Sequence, residues 1–364
     1  MHKPDYVLIG LIGVIIIFGL VMLSSASSAV AYEKFQDSYW YFKHQIIFGL
    51  LPGIAAFFVT AKIDYRRWKK YAFPLLVISI ILLLVVFIPG LGVSYGRARN
   101  WINFFGMSLQ PAEIVKLTFL LYLAAWLEKR EKGEIKDFSS SFIPFISVLG
   151  IIVLLMALQP DIGTMTVIVL ISLIVYFTAG APLVHLSWIS FLGTGLLFLL
   201  IKIAPYRAAR LTTFLHPELD PQGVGYHINQ ALLAIGSGGL FGLGFGNSRQ
   251  KFQYLPEVVG DSIFAVTAEE LGFIFSAALI ILFIFLAIKG FRIARQSPDG
   301  FGRLVAVGIT SWLIFQTFIN VGAIIGLLPL TGVPLPFVSY GGTAFTVGLA
   351  AVGILVNISK YSRE

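Results

Sequence analysis

Carboxylates and cations occur in this chain where its apolar character makes them costly. The stretch LPEVVGDSIFAVTAEELGF, residues 255–273, puts Glu257 and Asp261 before an apolar run and Glu269 and Glu270 about two turns inside it. A carboxylate at the centre of a lipid-embedded helix costs roughly 2.5–3.5 kcal/mol on insertion scales, so each needs a partner or a task. Asp261 admits two roles. It can cap the following helix by accepting a backbone N–H, or it can be held at the membrane surface as a general base or metal ligand. The roles are compatible, because a cap fixes where the carboxylate points. Glu257 reads as a solvated loop carboxylate. At 100° per residue, Glu269 lies about 80° round from Asp261 and Glu270 about 180°, so the two cannot both share a cavity with Asp261. Buried pairing with a cation or amide of another helix accounts for both, and Glu269 is the better placed to line a site.

A second constellation is QPAEIVKL, residues 110–117. Glu113 and Lys116 are i, i+3 on one helical face and can pair; an unpaired Lys116 at that depth would need an anionic ligand. Arg97 and Arg99 precede Trp101 in a Gly- and Asn-containing loop, as an interfacial aromatic with basic neighbours or as an anion-capturing loop beside the bilayer. Arg207 and Arg210 have a spacing suited to two phosphate contacts if the segment is helical. The glycine-dense IGSGGLFGLGFG, residues 235–246, lacks the Lys-Ser/Thr ending of a P-loop. A re-entrant segment packed against protein accounts for it better. LPLTGVPLPFVSYGG, residues 328–342, alternates Pro and Gly as a broken segment does and shapes a site rather than reacting. Ser339 within it, and Asp161 in QPDIG, count among the supporting residues. The histidines have no pair at metal-ligand spacing, and the chain has no cysteine. Disulfides, thiolate nucleophiles and cysteine metal sites are thereby excluded. A hard divalent cation such as Mg or Mn, held by carboxylates and phosphate oxygens, fits the composition; no organic cofactor is implied.

The elements that must position these residues are membrane helices. The chain has 364 residues, 57% hydrophobic and 12% charged, with mean hydropathy +0.88. A soluble domain is about 25% charged. Apolar runs near 6–23, 43–61, 72–89, 112–127, 142–158, 161–179, 183–203, 262–288, 304–328 and 342–358 are long enough to span a bilayer. The expected fold is therefore an all-α polytopic membrane protein of about ten helices, one domain over 1–364. A long outer loop, about 204–261, separates helices 7 and 8. The first run follows MHKPD and reads as a span rather than a signal peptide, since similar runs follow. Lys and Arg concentrate in KIDYRRWKKY, EKREKGEIKD and the loop around Arg292–Arg303, which puts both termini in the cytoplasm. The net charge of +8 then serves topology and lipid headgroups rather than nucleic acid. The unusual segments fall on the outer face, and the chemistry is expected there.

Taken in order, QPAEIVKL, QPDIGT, GYHINQALLAIGSGGLFGLGFGNSRQKFQYLPE, DSIFAVTAEELGF and GLLPLTGVPLPFVSYGG resemble the SEDS family, which includes FtsW, RodA and SpoVE. The resemblance covers nearly the whole chain, and VMLSSASS with SRQKFQYLPE leans to the FtsW branch. It implies a peptidoglycan glycosyltransferase in the bacterial cytoplasmic membrane that polymerises lipid II into β-1,4 glycan at the outer face, for division or elongation. It also implies a class B penicillin-binding transpeptidase and divisome or elongasome membrane proteins as partners. The family's essential aspartate falls on Asp261, its paired acid and lysine on Glu113 and Lys116. The chain departs from the family at Asn100, where a basic residue is common before the Trp, and at Ala112, Thr343 and Val259-Gly260. Only Asn100 removes an ionisable group.

On that reading Asp261 takes the proton of the acceptor 4-hydroxyl, one base sufficing for a single inverting displacement, unlike two-carboxylate hydrolysis. Arg207, Arg210, Lys116 or a divalent cation would meet the pyrophosphate charge. A lipid II flippase would use the same broken helices and buried charge, but the polar groups gather on one side and no inverted repeat is visible. A scaffold without activity would explain the helices but not the outer acid and basic cluster.

Overall fold

The computed structural model describes residues 3–95, 98–104, 107–203, 205–216 and 223–362. Among the described residues, eight helices are long and apolar enough to cross a membrane: Tyr6–Ala26, Trp40–Lys62, Arg66–Val85, Phe138–Leu158, Leu183–Ile203, Ile263–Gln296, Gly300–Ile324 and Gly342–Ser359. Ile162–Thr178 is apolar but shorter. Pro111–Glu128, which carries Glu113, Lys116 and Glu128, completes the correspondence with the expected runs. The third begins at Arg66 rather than near 72, because the basic RRWKK forms its first turns. Burial is uneven: 83% of the Gly300–Ile324 window and 67% of that in Gly342–Ser359 lie inside the protein, against 17–33% for the other six. These two helices and the largely buried Pro111–Glu128 therefore form the core, and the more exposed apolar helices present the faces that lipid would cover.

The fold departs from the all-α expectation in the loop before Pro111. There β1 (Gly92–Tyr95), β2 (Ala98–Phe104) and β3 (Met107–Leu109) form an antiparallel sheet in the order β1-β2-β3. Asn100 and Ile102, two apart on β2, are both buried while Asn103 is exposed, the period-2 alternation of a half-buried strand. The segment between Ile203 and Ile263 is also more ordered than a loop: it contains helices Pro205–Leu215 and Val224–Gly238.

The eighth run is not one continuous helix. Gly272 has φ 77° and ψ −174°, which breaks Ile263–Gln296 into a short buried segment and a long apolar one. The glycine-dense run packs into this break backbone to backbone. A side chain on Gly242, itself at φ 79°, would collide with the Glu270 carbonyl, and one on Gly272 with the Gly242 amide. Leu243 N and Gly244 N donate to the carbonyls of Glu269 and Glu270, each at 2.9 Å, and Phe273 N to Gly239 O at 2.9 Å. The groups freed by the kink are thus satisfied inside the protein, as non-helical backbone at membrane depth requires.

Glu269 and Glu270 hold the loop that follows the glycines. Glu269 accepts from Ser248 Oγ and from the amides of Arg249 (2.9 Å) and Gln250. Glu270 pairs with Lys251 Nζ at 2.8 Å and accepts from Ser25 Oγ and the Gly246 amide. Both are almost wholly buried. The expected buried pairing is therefore present for Glu270. Glu269 does not line a cavity, because loop hydroxyl and amide donors surround it.

Removing one member of a buried ion pair destabilises a protein by about 3–5 kcal/mol. Lys251→Met should lower the melting temperature in detergent clearly, and adding Glu270→Gln should recover part of the loss. A melting temperature equal to wild type in the single variant would show that Lys251 does not hold this loop.

Candidate active site

Asp261 lies on a turn whose backbone is held from two sides. Asn320 Nδ2, on Gly300–Ile324, donates to the Asp261 carbonyl at 2.8 Å. Ser339 Oγ donates to Gly260 O at 2.7 Å, and Tyr340 N to Val259 O at 2.8 Å. Three consecutive carbonyls are thereby fixed by one helix and the broken 333–340 segment. That segment is itself anchored, with Leu335 N donating to Ser339 Oγ and Gly341 N to Gln45 Oε1. The Glu257 carbonyl closes the turn by accepting from Gly260 N and Ser262 N.

The Asp261 side chain is treated differently from its backbone. It does not cap the helix: Ser262 occupies the N-cap position without a side-chain cap bond. Asp261 Oδ1 is buried and has no hydrogen-bond donor. Burial, and then the Glu257 charge, push the Asp261 carboxyl up to about 7, against the smaller pull of nearby backbone amides and Arg210. Glu257 is exposed.

Histidine, which showed no metal-ligand spacing in the sequence, enters through another contact. His227, on Val224–Gly238, lies 2.6 Å from Ser262 Oγ through Nε2. Burial and the Arg210 guanidinium push it down to about 4, so the imidazole is neutral near pH 7. Arg210, on the exposed face of Pro205–Leu215, reaches the Leu330 carbonyl at 3.4 Å. It is the described cation whose charge acts on both His227 and Asp261.

Glu113 and Lys116 form the expected i, i+3 pair at 2.8 Å, with both side chains 1% exposed. Lys116 also donates to Gln316 Oε1 at 2.8 Å and lies over the Trp312 ring. The pair is thus enclosed by protein side chains. Asp161 caps Ile162–Thr178 through the Thr164 amide, and its other oxygen accepts from Asn100 Nδ2 (3.0 Å) and Gln110 Nε2 (3.1 Å). It therefore ties the small sheet to the bundle. Arg99 donates to Ile88 O at 2.9 Å, in the turn that precedes β1, and Trp101 is partly buried opposite Val93. Arg97 and the Arg207 side chain lie outside the described residues. Among the described residues no three His, Asp or Glu side chains could together hold a metal ion, so a cation at Asp261 would need substrate oxygens as well.

Residues 5–364 match the FtsW/RodA/SpoVE family, described as cell cycle proteins. The chain belongs to that family. It is 42% identical to stage V sporulation protein E of Bacillus subtilis, over 99% of this chain and 98% of the relative. It is 39% identical to the probable peptidoglycan glycosyltransferase FtsW of Geobacter metallireducens, over 99% and 95%. Among solved structures, the rod shape determining protein RodA of Thermus thermophilus superposes with TM-score 0.72 at 29% identity, over 99% and 98%. A chain from a peptidoglycan synthase complex that coordinates polymerization and crosslinking gives 0.79 at 28%, over 99% and 98%. The ordered motifs thus carry one family's fold along the whole chain.

In this family member the raised Asp261 carboxyl has a cost to the fold. Because its folded value lies above the ordinary 3.8, bound proton stabilises the native state below about pH 4, and that contribution is lost as pH rises through about 7. The loss is at most about 4 kcal/mol. Asp261→Asn should therefore raise the melting temperature at about pH 8 and leave it nearly unchanged at about pH 4. An equal shift at both pH values would show that the carboxyl is not perturbed.

Proposed function

We propose that this chain polymerises lipid II into β-1,4 glycan at the extracytoplasmic face of the bacterial cytoplasmic membrane, with Asp261 as general base. Peptidoglycan glycosyltransferase is the activity that FtsW relatives carry in their names. The observation that supports Asp261 as its base is a buried carboxylate oxygen with no donor, on a turn whose backbone is fully engaged. A base works best with a value near the operating pH, and about 7 meets that condition.

In the reaction the acceptor sugar's 4-hydroxyl attacks the donor's anomeric carbon. The hydroxyl proton passes to the Asp261 carboxylate, the new C–O bond forms with inversion, and the bond to the pyrophosphate breaks with undecaprenyl pyrophosphate leaving. Glu257, exposed on the same turn, gives Asp261 a neighbour through which the proton reaches water. Arg210 lies near enough to bias both Asp261 and His227 and meets the charge that grows on the leaving pyrophosphate. His227, kept neutral, orients the start of the helix through Ser262 without adding a second positive charge beside the base. A divalent cation such as Mg or Mn would be held by Glu257 with substrate oxygens completing its shell, which leaves the Asp261 carboxylate free as the base, and would supply further neutralisation of the leaving group.

The basic loops support an orientation with the termini in the cytoplasm and this end of the bundle outside. A class B penicillin-binding transpeptidase is the partner, consistent with the similar chain from a synthase complex that joins polymerization to crosslinking. Divisome or elongasome membrane proteins complete the assembly.

Polymerisation of purified lipid II in detergent, with and without the transpeptidase, tests the assignment. Wild type should make long glycan, with a rate that rises with pH through about 7 as Asp261 loses its proton. Asp261→Ala should lose roughly 10²–10⁴-fold while still unfolding cooperatively as a folded protein. Normal glycan from that variant would sink the base assignment. No glycan from wild type, together with lipid II movement across vesicles, would make the chain a flippase. Chelation should lower the wild-type rate, and Mg or Mn should restore it; a rate indifferent to chelator would remove the cation from the reading.

A further inference from the structure

The Glu113–Lys116 pair and Asp261 are far apart in sequence, and one buried amide lies between them. Gln316, on Gly300–Ile324, is 3% exposed. Its Oε1 accepts from Lys116 Nζ at 2.8 Å and from Trp312 Nε1 at 2.7 Å. Its Nε2 donates to the Pro334 carbonyl at 2.9 Å. One turn further along the same helix, Asn320 Nδ2 donates both to Val333 O and to Asp261 O, each at 2.8 Å. From the other end of the broken segment, Ser339 Oγ holds Gly260 O. The ion pair, the helix, the segment and the turn that carries Asp261 are therefore joined by successive hydrogen bonds.

The space beside this path excludes a direct route. A cavity of about 20 Å³ is lined by Glu113, Gln316, Pro334 and Ser339 among others. That volume admits about one water, not a lipid-linked sugar. The connection that the structure shows between the pair and the turn of Asp261 is the chain of hydrogen-bonded side chains. An amide suits the junction, because it accepts at one atom and donates at the other. A carboxylate of the same shape would keep both accepted bonds but would face the Pro334 carbonyl with an oxygen.

We infer that Gln316 is a positioning residue that couples the buried Glu113–Lys116 pair to Asp261, through the Pro334 carbonyl and the segment that fixes the aspartate's turn. The inference rests on Asp261 acting as the base. The groups that set the Asp261 charge are Glu257 on its own turn, Arg210 on Pro205–Leu215 and neutral His227 on Val224–Gly238. The 333–340 segment brings no charged residue, and from Gly300–Ile324 the contact is the Asn320 amide. Changing Gln316 therefore alters the geometry around Asp261 without removing any of the charges that act on it.

Lipid II polymerisation by wild type, Gln316→Met and Gln316→Leu, followed from acidic to alkaline pH and normalised to folded protein by thermal unfolding, tests this coupling. Both variants should lose about tenfold to a hundredfold in kcat, the scale of a misplacement near 1 Å, with KM for lipid II within about twofold of wild type. The acid limb of the rate should move down, towards the ordinary carboxylate range, as the loosened turn lets water reach Asp261. Should the leucine variant fail to fold, the methionine variant, uncharged and closer to glutamine in length, carries the test alone. An unmoved acid limb, with activity per folded molecule equal to wild type, overturns the coupling. If wild type shows no acid limb, or Asp261→Ala polymerises normally, it is the base assignment that fails. A normal wild-type limb with unmoved variants rejects only the role of Gln316.

Discussion

A backbone carbonyl inside a helical membrane protein has no water to turn to, and this requirement organises the site. Two stretches of the chain leave helical geometry within the bundle: the break at Gly272 and the 333–340 segment. Each must find donors from its neighbours. At the break they are the amides of the glycine-dense run, which approach closely because Gly242 and Gly272 carry no side chain. Around 333–340 they are the amides of Gln316 and Asn320. Asn320 also donates to the turn of Asp261, so the solution to the backbone problem is what places the candidate base.

The same constraint separates the three acids that looked alike in sequence. Glu269 and Glu270 are each surrounded by hydroxyl and amide donors, and Glu270 has a lysine as well. Such carboxylates are committed to holding structure. Asp261 has its backbone carbonyl bonded and one side-chain oxygen without a donor, beside the like charge of Glu257. A carboxylate in that state gains from accepting a proton. The distinction lies in how donors are distributed, since all three residues sit in one stretch of the same helix and its mouth.

The legible part of the fold followed from hydropathy. Apolar runs of sufficient length gave the long apolar helices together with Pro111–Glu128 and Ile162–Thr178, because lipid solvation imposes length and composition directly, but not Pro205–Leu215 or Val224–Gly238. The kink at Gly272 was not legible, since an isolated glycine is tolerated in a helix and nothing local marks it as a break. The β1–β3 sheet was missed because its strands are short and flanked by glycines that read as loop. Asp261, Glu113 and Lys116 could be singled out because charge is rare in such a chain. His227 could not: a search for metal-ligand spacing has no sensitivity to a histidine bonded to a serine thirty-five positions away. Gln316 and Asn320 were invisible for a similar reason. One uncharged amide per helical turn carries no periodic signal, and its importance arises only when the broken segment is brought against it.

The neutral Asn100 shows how the same architecture tolerates a change of charge. Where a basic residue would form an ion pair with Asp161, Asn100 and Gln110 instead donate to one Asp161 oxygen while the Thr164 amide binds the other. The link between the small sheet and the bundle survives, but it no longer brings a cation to this corner. Lys116 cannot replace it, because Glu113, Gln316 and Trp312 already enclose it. On the side where Asp261 and Glu257 lie, Arg210 is the described cation whose charge reaches Asp261. Anchoring the sheet and supplying positive charge are thus separable tasks in this fold, and the structure assigns them to different residues.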